Sequence, residues 1–125
     1  MNKLTEEQKE YKTNNIKNTL NMIRDDIHEN AVQHGWHDEK REFGTVMMLC
    51  VGELSEAMEE HRNHERPDDL YLKDGKPEGI PVEIADCIIR LLDYCGQEKI
   101  DIGEAIMQKH NYNLTRSYRH GNKAC

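Results

Sequence analysis

Two acidic pairs, Glu53 with Glu56 and Glu83 with Asp86, stand three positions apart within the two most apolar helical stretches of the chain. Residues three apart on a helix share a face, so each pair aims two carboxylates in one direction. Their neighbours are residues that pack: Leu49, Cys50, Leu54 and Ala57 around the first pair, and Ile84, Ala85, Cys87 and Ile88 around the second. A carboxylate in apolar surroundings is unfavourable unless something positive meets it. Four convergent carboxylates therefore imply a divalent cation, and hard oxygen ligands suit Mg2+ or Mn2+. The competing carboxylate-bundle design, a di-iron site, uses Glu-x-x-His motifs, and none of the seven histidines has a glutamate three residues before it. The pairs His61–His64 and His34–His37 lack the further convergent ligands of a zinc site.

A complementary set lies near the C-terminus. Lys109, Asn113 and Arg116 follow one another at i, i+4 and i+7, and Tyr118, Arg119 and His120 continue just beyond. From Ala105 to Cys125 there are Lys109, Arg116, Arg119 and Lys123 but no Asp or Glu, which leaves 13 Lys/Arg against 24 Asp/Glu in the remainder. A Lys, an Asn amide and an Arg in one line resemble a phosphate clamp; a solvated basic tail is the plainer alternative. No glycine-rich phosphate loop is present, so phosphates would be held by metal and side chains.

The elements that must position these residues are helical. Ile16, Leu20, Ile23, Ile27 and Ala31 predict a first helix over about 13–34, with Gly35 as its stop. Phe43, Met47, Cys50, Leu54, Ala57 and His61 predict a second over about 40–62. The polar segment 63–79, with Pro67, Gly75, Pro77 and Gly79 as breakers, is expected to be a loop of functional or mobile character. A third helix opens at Pro81 and ends near Gly96. Its polar residues Glu83, Asp86, Arg90 and Asp93 form one stripe on an otherwise apolar helix, as for a wall facing an internal site or interface. An Asp86–Arg90 pair at i+4 is the structural alternative. Asp101 and Glu104 resemble a capping box for a fourth helix reaching about 112–119. No strand is expected. The fold class is all-α, a four-helix bundle within a single domain over 1–125, with a polar N-terminal extension at 1–12 and a short basic tail at 120–125.

Composition narrows the function classes. Hydrophobic residues make up 36% and charged residues 33% of 125, a modest core that self-association would complete. A net charge of −7 argues against duplex nucleic acid as a partner. No stretch approaches the roughly 18–20 apolar residues of a membrane span, and no signal-peptide core is visible in MNKLTEEQKEYK. The four cysteines show no CxxC spacing, so a cytoplasmic, disulfide-free protein is expected.

The runs GELSEAMEEHR (Gly52–Arg62), GIPVEIADCIIRLLD (Gly79–Asp93) and KHNYNLTRSYRHGNK (Lys109–Lys123) together resemble the MazG-like, all-α nucleoside triphosphate pyrophosphohydrolases, from about Gly35 onward. The resemblance implies a Mg2+-dependent four-helix fold assembled as a homodimer or homotetramer, cleaving a (deoxy)nucleoside triphosphate to monophosphate and pyrophosphate. It implies Glu53, Glu56, Glu83 and Asp86 as metal ligands; for the hydrolysis itself, one carboxylate of the cluster, Glu53 or Glu56, is expected to act as general base rather than ligand. It assigns Lys109, Asn113, Arg116 and Tyr118 to phosphate and sugar, and Trp36 to the neighbourhood of the base. Arg90 is grouped with the substrate, although several relatives carry an aromatic or aliphatic residue there. Gly52 stands where many relatives carry a further Glu, so fewer ions, or a ligand such as Glu60, are expected. Two rival classes remain: a nucleotide-binding module without turnover, and a structural helical dimer.

Overall fold

Thr5 starts the first helix. Its hydroxyl accepts from the Gln8 amide at 3.1 Å, while the Gln8 side chain accepts from the Thr5 amide at 2.8 Å, a complete capping box. In a computed structural model that describes residues 3–124, helix α1 therefore spans Glu6–Gln33. The segment assigned to a polar extension is helical from Glu6 onward: Glu, Gln and Lys are strong helix formers, and they carry no apolar stripe to reveal it. Helix α2 (Phe43–Arg62), strands β1 (Tyr71–Lys73) and β2 (Lys76–Glu78), helix α3 (Ile80–Gln97), helix α4 (Ile102–Leu114) and the single turn α5 (Arg119–Asn122) follow. The all-α reading holds for the bulk of the chain, and four helices of more than one turn match the four expected.

The 63–79 segment departs from expectation by forming a two-stranded antiparallel hairpin in which Tyr71 pairs with Glu78 and Lys73 with Lys76. Asp74 and Gly75 both take positive φ, 53° and 79°, the turn that Asp-Gly favours in tight hairpins. The strands are short and mostly exposed, so no alternation of apolar residues announced them. Gly79 then turns the chain into α3 at φ 120°; a Cβ there would lie 2.2 Å from the Asp69 carbonyl oxygen. Only glycine fits.

Helices α2 and α3 run antiparallel. Phe43 packs on Tyr94 with tilted rings whose centroids are 5.6 Å apart, Cys50 Sγ lies 3.8 Å from the Cys87 carbonyl, and Glu53 meets Arg90. Val46, Cys50 and Cys87 form the core cluster between them, with Met47 and Tyr94 against it. Cys50, Cys87 and Cys95 are free, buried thiols; Cys125 lies outside the described residues. Burial pushes the Cys50 and Cys95 thiols up.

Helix α1 packs across α3 and carries α4. Asp101 Oδ1 accepts from the Glu104 amide at 3.0 Å and from Asn21 Nδ2 at 2.8 Å, and Asn21 Oδ1 accepts from the Gly103 amide at 2.9 Å. Helix α4 ends at Leu114, short of the 119 limit, so Arg116 stands beyond its C-cap. Among the described residues no helix is long and apolar enough to cross a membrane. Among the described residues no side chain is wholly buried, and the accessible surface is 9939 Å2, against roughly 6,900 Å2 for a compact monomer of this mass.

Candidate metal centre and adjoining cavity

The antiparallel pairing of α2 with α3 brings the two acidic motifs together. Glu53, Glu56 and Glu83 each present an oxygen within 4.8 Å of the others. Glu53 and Glu83 are 9% and 8% exposed, whereas Glu56 faces solvent. Glu83 Oε2 is buried and has no hydrogen-bond partner. Asp86 is half-buried one turn along α3, outside that tight trio.

Electrostatics separate these groups. The Glu83 carboxyl is pushed up to about 8, first by burial and then by the carboxylates of Glu56 and Glu53 beside it. Burial also works against ionised Glu53, but the neighbouring Glu83 carboxyl and the Arg90 guanidinium outweigh it, so Glu53 is lowered from its ordinary value. Burial and the charge of Glu53 push Asp86 up. Several acids sharing so little solvent keep a proton among themselves unless a cation replaces it. The donor set is all hard oxygen and contains an orphaned buried atom, which fits Mg2+ or Mn2+.

Arg90 donates from Nε to Glu53 Oε1 at 3.0 Å. The i+4 partner Asp86 is not its ion-pair partner, because Glu53 on α2 approaches the guanidinium from across the helix pair. Next to this pair opens a cavity of about 880 Å3 lined by Glu53, Asp86, Arg90, Asp93 and Trp36, with Ile27, Leu49 and Ile89 as apolar wall. That volume lies in the usual range for small-molecule sites. Trp36 is 63% exposed at the α1–α2 turn, with the Arg41 guanidinium 5.7 Å from its ring centroid.

The basic set stands apart. Lys109, Asn113, Arg116 and Tyr118 do not line the cavity. Helix α4 packs chiefly on α1, and Lys109 Nζ and the Arg116 guanidinium instead flank the Tyr112 ring at 5.1 and 5.6 Å. Tyr118 is 78% exposed beside Arg119. Within the protomer, Arg116 therefore does not continue a helical line from Lys109 and Asn113.

Sequence reasoning missed one partly buried constellation. Asp93 Oδ1 lies 2.8 Å from His28 Nδ1 and 2.7 Å from His37 Nε2. The three residues come from α3, α1 and the α1–α2 turn, so no spacing links them. Gly96 lets α1 come this close: a Cβ there would lie 2.4 Å from His28 Cβ. The only sequence signal was the place of Asp93 on the polar stripe of α3.

Comparison with family models, curated proteins and solved structures returns no match.

Proposed function

We propose that the chain is a Mg2+-dependent nucleoside triphosphate pyrophosphohydrolase of MazG-like type, with Glu53, Glu56, Glu83 and Asp86 holding the metal. The observation that carries the reading is the convergence of Glu53, Glu56 and Glu83 within 4.8 Å, with an orphaned Glu83 oxygen, beside a nucleotide-sized cavity. When bound there, Mg2+ supplies charge neutralisation and Lewis-acid activation for attack of water on a triphosphate.

The chain's own groups supply the rest. Glu83, protonated near neutral pH when no cation is present, gives up its proton when the acids become ligands. Glu53, or the exposed Glu56, accepts the proton of the attacking water. The α,β-anhydride breaks, one oxygen of water stays on the monophosphate, and pyrophosphate leaves. Arg90 lines the cavity and meets the substrate's negative charge, and Trp36 offers a flat apolar face at the cavity's edge for a base.

Lys109, Asn113, Arg116 and Tyr118 join this site through self-association. Leu54, Met58, Ile84 and Ile88 on the α2–α3 pair are 44–53% exposed, and these apolar faces together with the large accessible surface support their being covered by a second copy. In this reading the fold is a four-helix bundle completed as a homodimer or homotetramer, acting in the cytoplasm. Incubation with a panel of nucleoside triphosphates and Mg2+ tests it: monophosphate and pyrophosphate are the expected products. Binding without products would instead identify a nucleotide sensor.

A further inference from the structure

The His28–His37–Asp93 cluster stands apart from the α2–α3 carboxylates. Asp93 follows Glu83 by ten positions, about 15 Å along α3 at the rise of an α-helix. Its side chain is 11% exposed, and among the described residues its ion-pair partners are the two imidazoles, not a Lys or Arg. Arg90, one turn before it, is committed to Glu53. A buried carboxylate needs a positive charge close by. Here that charge is either a proton shared with the histidines or a metal ion.

The geometry suits the ion. His28 Nδ1 and His37 Nε2 both approach Asp93 Oδ1, at 2.8 and 2.7 Å, and Oδ2 is 3.0 Å from the same His37 nitrogen. The two rings stand edge to face at 69°, with centroids 4.6 Å apart, so each offers one nitrogen to the same carboxylate. Tetrahedral zinc with bonds of about 2.0–2.1 Å holds its donors about 3.3 Å apart. That is roughly half an ångström wider than the hydrogen-bonded cluster, an adjustment within reach of side-chain torsions. Two His and one carboxylate leave a fourth position open. A cavity of about 10 Å3 lined by His37 and Asp93 offers room on the order of one water there. Asp93 also borders the larger cavity of about 880 Å3, which gives an ion its way in.

Three segments deliver the donors: α1, the α1–α2 turn and α3. His34 is not the zinc partner of His37, because its Nδ1 lies 2.8 Å from the Asn30 carbonyl; the partner is His28, nine residues before His37. Imidazole nitrogen favours Zn2+, whereas Mg2+ takes oxygen ligands. We propose that His28 Nδ1, His37 Nε2 and the Asp93 carboxylate bind Zn2+, with water as the fourth ligand. The ion replaces the shared proton and pins the α1–α2 turn, which carries Trp36 next to His37, onto α3. This site does not depend on the proposed hydrolysis.

The test is nitrogen-15 NMR of the intact chain labelled at histidine, stripped of metal by chelator and then given Zn2+ in excess Mg2+, which occupies oxygen ligands. The expected result is one tightly held Zn2+ per protomer and two of the seven rings coordinated, one through Nδ1 and one through Nε2. His28→Ala and His37→Ala should each remove one coordinated ring. Each should weaken Zn2+ binding roughly a hundredfold or more, beyond the loss of an outer-shell contact, while His34→Ala changes neither. The proposal is overturned by failure to retain Zn2+ against Mg2+, by coordination through other rings, or by two rings bound through the same kind of nitrogen. If the alanine variants fail to fold, the wild-type pattern of one Nδ1 and one Nε2 decides alone. Zn2+ held in this pattern by a chain that hydrolyses no triphosphate leaves the site standing and sinks the reaction. Hydrolysis by a chain that retains no Zn2+ does the reverse.

Discussion

Arg90 reaches Glu53 Oε1 from both Nε and Nη2, each at 3.0 Å. The guanidinium thus occupies an oxygen that a metal would also use, and together with the neighbouring Glu83 carboxyl it keeps Glu53 ionised against burial. Replacing Arg90 with Gln removes a positive charge from the centre. Mn2+ affinity should rise several-fold, while triphosphate KM rises because a cavity cation is lost. Stability should fall by roughly 1–3 kcal/mol, the scale of a lost charged hydrogen bond. An unchanged or weaker Mn2+ affinity would show that Arg90 and the metal do not share Glu53.

The raised Glu83 carboxyl makes stability depend on pH in an unusual direction. Its folded value of about 8 lies above the ordinary 4.5, so the folded protein binds more protons than the unfolded chain between those values. Its contribution is complete below the ordinary carboxylate range and is lost as pH rises towards 8. Glu60 and Asp86 act in the same direction, whereas the lowered Glu53 and Asp101 act oppositely. With chelator present, Tm should decline from about pH 5 to pH 8. Mg2+ should flatten that decline and release protons on binding near neutral pH. A chelated protein whose Tm climbs steadily over this window would contradict the assignment.

At Gly96 the backbone of α3 meets His28 of α1, and any Cβ would overlap the His28 side chain. Gly96→Ala should therefore push α1 away from α3 and lower stability by about 1–3 kcal/mol, as overpacking does. Asp93→Asn should disturb the same contact by weakening the links to His28 and His37. The two substitutions act on one contact, so thermal unfolding of the double variant should show less than the summed loss. Full additivity would separate the glycine from the His–Asp cluster.

The exposed apolar residues of α2 and α3 give a solution test of self-association. Leu54→Glu together with Ile88→Glu alters side chains that are 48% and 49% exposed, so the protomer's helices should persist by circular dichroism. Sedimentation equilibrium should show the wild-type chain as a dimer or tetramer and the variant shifted towards monomer. A monomeric wild-type chain at micromolar concentration would remove the means by which Lys109 and Arg116 join the site.

The helices were legible wherever apolar residues recur at three and four, as in α2 and α3, because burial wrote the periodicity. Legibility failed where burial was absent. The first turns of α1 rest on a capping box and helix propensity, and the hairpin rests on an Asp-Gly turn between short, mostly exposed strands. The acidic pairs were readable because each is local to one helix. Their separation into a tight trio with Asp86 alongside was not, since it depends on how α2 and α3 cross. The His28–His37–Asp93 cluster was hidden for the same reason: its members lie in distant segments. Arg116 was misplaced because the helical line from Lys109 was extended past the true end of α4 at Leu114.

The most direct test of the proposed metal–triphosphate site is phosphorus NMR of a nucleoside triphosphate panel incubated with the protein and saturating Mg2+, beside Glu53→Gln. With the wild-type chain, at least one triphosphate should give monophosphate and pyrophosphate with no diphosphate or free phosphate. The Glu53→Gln chain, folded by circular dichroism, should lose at least a hundredfold in rate, the scale of a removed catalytic acid–base group. Pyrophosphate release by Glu53→Gln at the wild-type rate, or no hydrolysis of any triphosphate by the wild-type chain, would contradict it.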